Sequence, residues 1–143
     1  MIRSVVPFKS WHYEWLIERG PAVDQIGTMG KDKATLALLE KHNTWTGVVD
    51  GSPIAVAGTM ALWPGRHMAW AHMSLDTGPH MVWITKETLT RLEQIRGRIE
   101  LTVLKDFAAG HRWAKLLGFE VESPLMRGYN PDGSDSVGYV RIG

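Results

Sequence analysis

The stretch Arg98 to Phe119, RIELTVLKDFAAGHRWAKLLGF, reads as strand, turn, amphipathic helix and stop. Ile99, Leu101 and Val103 alternate with Glu100, Thr102 and Leu104, the period of a strand with one face more buried than the other. The spacing then predicts a helix capped by Asp106, with Ala109, Trp113 and Leu116 or Leu117 on its apolar stripe and Arg112 and Lys115 outward. Gly118 ends it, being free to take the left-handed conformation. Trp113, Leu116, Leu117 and Phe119 are therefore expected to pack on the sheet.

Working outward, the 143 residues suit a single domain spanning 1–143, and 44% hydrophobic against 22% charged residues is an ordinary balance for a globular chain. A formal charge of +1 gives no field for a nucleic-acid backbone, and Arg91, Arg96 and Arg98 are interleaved with Glu93 and Glu100. Cysteine is absent, which excludes disulfides, thiolate nucleophiles and cysteine-bound zinc. The N-terminus lacks the apolar core of a signal peptide, and no apolar run approaches the ~20 residues of a membrane span. A cytoplasmic protein with no nucleic-acid or membrane partner is expected.

From the N-terminus, Ile2 to Pro7 suits a strand, and Ser10 is placed to cap a helix that turns Trp11, Trp15 and Leu16 inward and stops at Gly20-Pro21. Pro21 to Gly30 reads as a loop. A helix from about Asp32 to His42 follows, with Thr35, Leu36, Leu38 and Leu39 on its apolar side. Asp50-Gly51 joins the β-rich runs Trp45–Val49 and Ile54–Trp63 as a tight hairpin, in which Gly58 marks a bulge or a close backbone approach. Pro64-Gly65 turns into a strand from about Arg66 to Leu75. There His67, Ala69, Ala71 and Met73 share one face, and Met68, Trp70, His72 and Ser74 the other. After Asp76-Thr77-Gly78-Pro79, a helix from about His80 to Arg96 carries Met81, Ile84, Thr88, Leu92 and Ile95 on one stripe. Asn130 to Gly133 turns a C-terminal hairpin of Val121–Tyr129 and Val137–Ile142.

The predicted order β, α, α, β, β, β, α, β, α, β, β, with the Leu117-Gly118-Phe119 ending, resembles the GNAT superfamily of acetyl-CoA-dependent N-acetyltransferases. The resemblance implies an α+β (α/β) fold, a central mixed, mostly antiparallel twisted sheet of about six to seven strands flanked by about four helices. Within the superfamily the chain is most similar to the short acetyltransferase-like proteins of tailed bacteriophages. The strand end at Trp70 to Ser74, the helix His111 to Phe119 and the Asn130–Gly133 hairpin before Tyr139 to Arg141 carry that likeness.

What the resemblance implies for a site is specific. In these enzymes the loop before the long helix holds the coenzyme A pyrophosphate, as a helix start with unpaired N–H donors does generally. The matching span is Leu75 to His80: Gly78 keeps the middle glycine, Leu75 and His80 depart from the pattern, and Pro79 removes a donor. Asp76 brings negative charge. Met73, Ser74, Thr77, Gly78, His80, Met81, His111 and Arg112 are the implied coenzyme contacts, and the strands flanking the long helix are implied to splay around the pantetheine arm. Ala114 stands where many relatives have an acid tyrosine, and Phe107 where an asparagine is common.

His72 is the candidate general base, since histidine titrates near neutral pH; its alternative is a core histidine packed beside Trp70. Tyr139 or Tyr129 on the final hairpin is the other source of a catalytic hydroxyl. No metal site is expected, because His67 and His72 face opposite ways on a strand and no His-x-x-x-His pair exists. Ser74 and Ser123 lie in no nucleophile elbow. Two functions follow: an acetyl-CoA-dependent N-acetyltransferase acting on a primary amine of a small molecule or protein, or a catalytically degenerate phage protein with a structural or host-interaction role. The latter would reside in the host cytoplasm or the virion. A monomer or homodimer is expected, the C-terminal hairpin offering an edge for pairing.

Overall fold

The computed structural model describes residues 1–19 and 32–143. Its strands are β1 (Arg3–Pro7), β2 (Asn43–Val49), β3 (Ser52–Trp63), β4 (Arg66–Met73), β5 (Arg98–Leu104), β6 (Glu120–Met126) and β7 (Ser136–Ile142). Helices α1 (Ser10–Glu18), α2 (Lys33–Leu39), α3 (Met81–Leu92) and α4 (Ala108–Leu116) connect them, and a 3₁₀ turn over Leu75–His80 leads into α3. The element order is the one the sequence predicts. The loop reading of Pro21 to Gly30 and the Gly20-Pro21 stop lie outside the described residues.

The seven strands form one sheet in the order β1-β2-β3-β4-β5-β7-β6. Every pairing is antiparallel except β4 with β5. Asp50 (φ 48°) and Gly51 (φ 84°) take the positive φ of the tight β2–β3 turn. At Gly58 a close approach, rather than a bulge, is found. An added Cβ would stand 2.4 Å from Thr44 Cγ2, while the β2–β3 register slips elsewhere, at Gly47/Val48.

Strand alternation divides the core in two. One cluster gathers Ala69 and Ala71 of β4, Ile99, Leu101 and Val103 of β5, Ile84 and Leu92 of α3, Trp113 of α4 and Leu117 just after it. The second, on the opposite face, gathers Val56 and Trp70 with Phe8, Tyr13, Leu16, Leu36 and Leu39 from α1, α2 and the chain before them.

Three helix details correct the sequence reading. Trp11 is 52% exposed, and His12 and Tyr13 take the inward positions instead. The reason lies at the helix start: Lys9 N–H donates to His12 Nδ1 (3.0 Å), Thr46 Oγ1 bonds the same nitrogen (2.7 Å), and Ser10 is occupied with Glu40 rather than capping. Burial holds the His12 pKa below its ordinary value, which suits a neutral ring accepting at Nδ1. Leu116 is 65% exposed, because the helical phase that turns Gly110, Trp113, Ala114 and Leu117 to the sheet leaves Leu116 outside that arc. Asp106 does not cap α4; Phe107 holds that position with no side-chain hydrogen bond.

Candidate active site

β4 and β5 are in register at only three pairs, Arg66 with Arg98, His67 with Ile99 and Met68 with Glu100. Beyond the last pair the strands part. Ser74 N–H donates to Ile54 O (2.8 Å), which makes Ser74, His72 and Trp70 the residues whose main chain bonds β3. By strand alternation, the N–H and C=O groups of Ala71 and Met73 point into the opened seam.

A cleft of about 310 Å³ fills this seam on the α3/α4 side. Ala71 and Met73 floor it, Ser74, Leu75, Thr77 and Gly78 of the 3₁₀ turn close one end, and Met81 contributes from α3. Phe107, Ala109, Gly110 and Trp113 form the α4 wall. The wall depends on Gly110, where a Cβ would stand 2.4 Å from the Phe107 ring and 2.8 Å from Val103. Trp113 is fixed by its indole N–H, which donates to Thr85 Oγ1 at 2.9 Å. At Gly78 an added Cβ would meet no atom within 4 Å, so the main chain there is bared to an approaching ligand.

Five of the sequence-predicted coenzyme contacts, Met73, Ser74, Thr77, Gly78 and Met81, come together on this cleft. Ser74 and Thr77 are its polar side chains, and both serve the turn: Ser74 Oγ accepts from Asp76 N–H (3.2 Å), and Thr77 Oγ1 donates to Ser74 O (2.8 Å). His80 is drawn away. Arg3 Nε donates to its Nδ1 at 3.0 Å and Arg3 Nη2 to Pro79 O at 3.4 Å, so β1 clamps the turn from behind. No sequence signal near His80 points to a partner on the first strand.

His111 and Arg112 do not border the cleft. Arg112 is exposed on α4. His111 bonds Lys105 O through Nε2 (2.8 Å) and the Tyr139 hydroxyl through Nδ1 (2.7 Å). A carbonyl only accepts, so Nε2 carries the proton and Tyr139 O–H donates to Nδ1. Tyr139 is 3% exposed, and burial pushes its pKa up. It keeps its proton within the first core cluster, away from the cleft.

His72 is 3% exposed on the opposite face of the sheet, edge-on to the Tyr13 ring at 4.8 Å and beside Trp70. The strand register that the sequence gives is right, but the face it selects is the floor of the second core. His72 is therefore a core histidine and not an open base. Ala114 is fully buried and offers no proton donor. Among the described residues lining the cleft, none is titratable.

Past Phe107 opens a second recess of about 510 Å³, carrying Lys105, Asp106, Asp132 and Asp135; Phe107 borders both spaces. Asp132 accepts from Ser134 N–H and Oγ, and Asp135 from Gly128 N–H, which organises the β6–β7 connection. Among the described residues no group of three His, Cys, Asp or Glu is arranged for a metal ion, and no helix is long and apolar enough to cross a membrane.

No family model and no curated protein matches the sequence. Solved structures do match the fold. Ard1 from Thermoplasma volcanium superposes with a TM-score of 0.79 at 15% identity, over 99% of this chain and 98% of that one. The ribosomal-protein-S18-alanine N-acetyltransferase from Escherichia coli gives 0.69 at 15% identity, over 97% and 92%. A GNAT superfamily phosphinothricin acetyltransferase from Sinorhizobium meliloti, solved in complex with AcCoA, gives 0.70 at 13% identity, over 99% and 88%. The chain thus has the GNAT fold: a mixed, mostly antiparallel seven-stranded sheet with four helices, opened between β4 and β5.

Proposed function

We propose that the protein is an N-acyltransferase that takes its acyl group from acetyl-CoA and passes it to a primary amine. The observation that carries this reading is the parting of β4 from β5 after Met68 and Glu100, with an apolar cleft along the freed edge. An extended arm laid there would meet main-chain groups of Ala71 and Met73 as an added strand does, while Trp113 and Phe107 cover its other side. Gly78 and Thr77 would hold the pyrophosphate end. That end fits less well than the arm, since Asp76 and Pro79 reduce the positive potential and donor count of the turn.

The coenzyme would supply an acyl group activated as a thioester. The chain's own part would be positioning and polarisation: a main-chain N–H on the freed β4 edge would face the thioester carbonyl oxygen, between the apolar walls of the cleft. Transfer to the amine would release the coenzyme as its thiol, with the amine's proton lost to solvent and the thiolate's taken from it, since no side chain lining the cleft can carry either. With no titratable side chain in the cleft, the rate is expected to rise with pH as the amine itself deprotonates, without an inflection from an imidazole near ~6.5. The recess beyond Phe107, with its three aspartates, is where a cationic amine would enter.

Calorimetric titration with acetyl-CoA tests the reading: saturable binding at one site supports it, and absence of heat together with an unshifted melting temperature refutes it. A second reading is favoured by Ala114, Phe107 and the burial of His72. It is a catalytically silent GNAT-fold protein, in line with the resemblance to phage acetyltransferase-like proteins. Tight acetyl-CoA binding with no thiol release across a panel of amines would select it.

A further inference from the structure

Inward of the cleft, under α3, lies a second cavity of about 20 Å³. It shares Ala71 and Trp113 with the cleft and continues along the same face of β4 to Ala69, against Leu101 of β5. The two spaces thus adjoin at Ala71 and Trp113. Its side-chain walls are apolar but for one atom. Thr88 Oγ1, in a residue only 5% exposed, has no hydrogen-bond partner among the described residues. A helical threonine ordinarily bonds the carbonyl one turn back, as Thr90 does to Lys86 O at 3.0 Å. Trp113 cannot help, because its N–H is already given to Thr85. Trp70 also borders the cavity, but its ring packs against Phe8 on the opposite face of the sheet.

An unpartnered buried hydroxyl is destabilising, so folding alone would favour valine, its isostere, at position 88. A water molecule bonded to Thr88 Oγ1 fits the volume, and the terminal oxygen of a ligand would take its place. A short acyl chain continuing from the cleft, with an oxygen at its end, fits both the apolar walls and the lone hydroxyl.

We propose that this cavity is an acyl pocket. It accepts the third carbon of a three-carbon acyl thioester and favours one whose third carbon bears a hydroxyl, which pairs with Thr88 Oγ1. The proposal rests on the donor reading above. Calorimetry with acetyl-CoA, propionyl-CoA, 3-hydroxypropionyl-CoA and free CoA tests it on the parent, Thr88→Val and Thr88→Ile. In the parent, 3-hydroxypropionyl-CoA should bind at least tenfold tighter than acetyl-CoA, with propionyl-CoA between. Thr88→Val keeps the shape and should bring 3-hydroxypropionyl-CoA down to the propionyl level. Thr88→Ile fills the cavity and should abolish the advantage of both longer chains over acetyl-CoA. Equal affinity for the three thioesters in the parent, or a preference that survives Thr88→Val, overturns the pocket while acetyl-CoA binding keeps the donor reading. If neither acetyl-CoA nor free CoA binds, both fall. Should Thr88→Ile fail to fold, the isosteric valine variant decides.

Discussion

Met68 on β4 and Glu100 on β5 are the last residues at which these two parallel strands face each other in register. The cleft lies past that pair, where β4 stays bonded to β3 but parts from β5.

The first prediction follows from the cleft's α4 wall. Ala109 is exposed and borders the opening, so Ala109→Phe narrows it without entering the core. Stability should stay within about 0.5 kcal/mol of the parent, as for most surface changes. Acetyl-CoA affinity should fall tenfold or more by calorimetry; an unaltered affinity would remove the cleft as the binding place.

The base of the fork is held by charge. Arg66 and Arg98 lie directly opposite each other in register, an unfavourable like-charge pair, and Glu100 resolves it. It accepts from Arg66 Nε (2.7 Å) and Nη2 (3.1 Å) and from Arg98 Nη2 (3.1 Å), while Arg98 also pairs with Glu122. These hydrogen bonds, Arg66's first, hold the Glu100 pKa below the ordinary carboxylate value. A depressed folded-state pKa contributes stability above the unfolded value of ~4.3 and loses it as pH falls through the folded one. Glu100→Gln should therefore destabilise the protein at neutral pH and flatten the acid limb of its stability curve. An acid limb as steep as the parent's would show that the fork is held by other means.

Two tyrosines should behave oppositely. Tyr13 Oη is buried without a hydrogen-bond partner among the described residues, whereas Tyr139 Oη donates to His111. Tyr13→Phe should be neutral or stabilising by up to about 1 kcal/mol, and Tyr139→Phe should cost about 0.5–1.5 kcal/mol, both read by denaturant unfolding. Burial raises both pKa values. A raised folded-state pKa contributes stability in full below the unfolded value of ~10 and loses it as pH climbs through the folded one. Each phenylalanine variant should lose part of the parent's alkaline destabilisation, and a variant retaining all of it would contradict the assignment.

On α4, Trp113→Ala should cost about 3–5 kcal/mol, the usual range for a large core aromatic. Leu116→Ser, one turn on and 65% exposed, should change stability by less than about 0.5 kcal/mol. Comparable losses at the two positions would mean that α4 is rotated from the phase described.

Much of this architecture is carried by local sequence. Alternation at Ile99, Leu101 and Val103, the Asp50-Gly51 turn and the positive-φ stop at Gly118 each act within a few residues, and together they determine the element order and which face each β4 residue takes. The turn over Leu75–His80 is equally legible, because strand, glycine and helix are consecutive there. What tertiary structure alone decided is what stands over each face. His72 carries the same side-chain chemistry whether its strand face is covered or open; Tyr13 and α1 cover it. His12 displaced Trp11 from the core because Thr46, on a strand far along the chain, offered it a hydrogen bond. His80 went to Arg3 and His111 to Tyr139 for the same reason. Polar side chains choose their partners in space, and a hydrophobic period records only which residues avoid water.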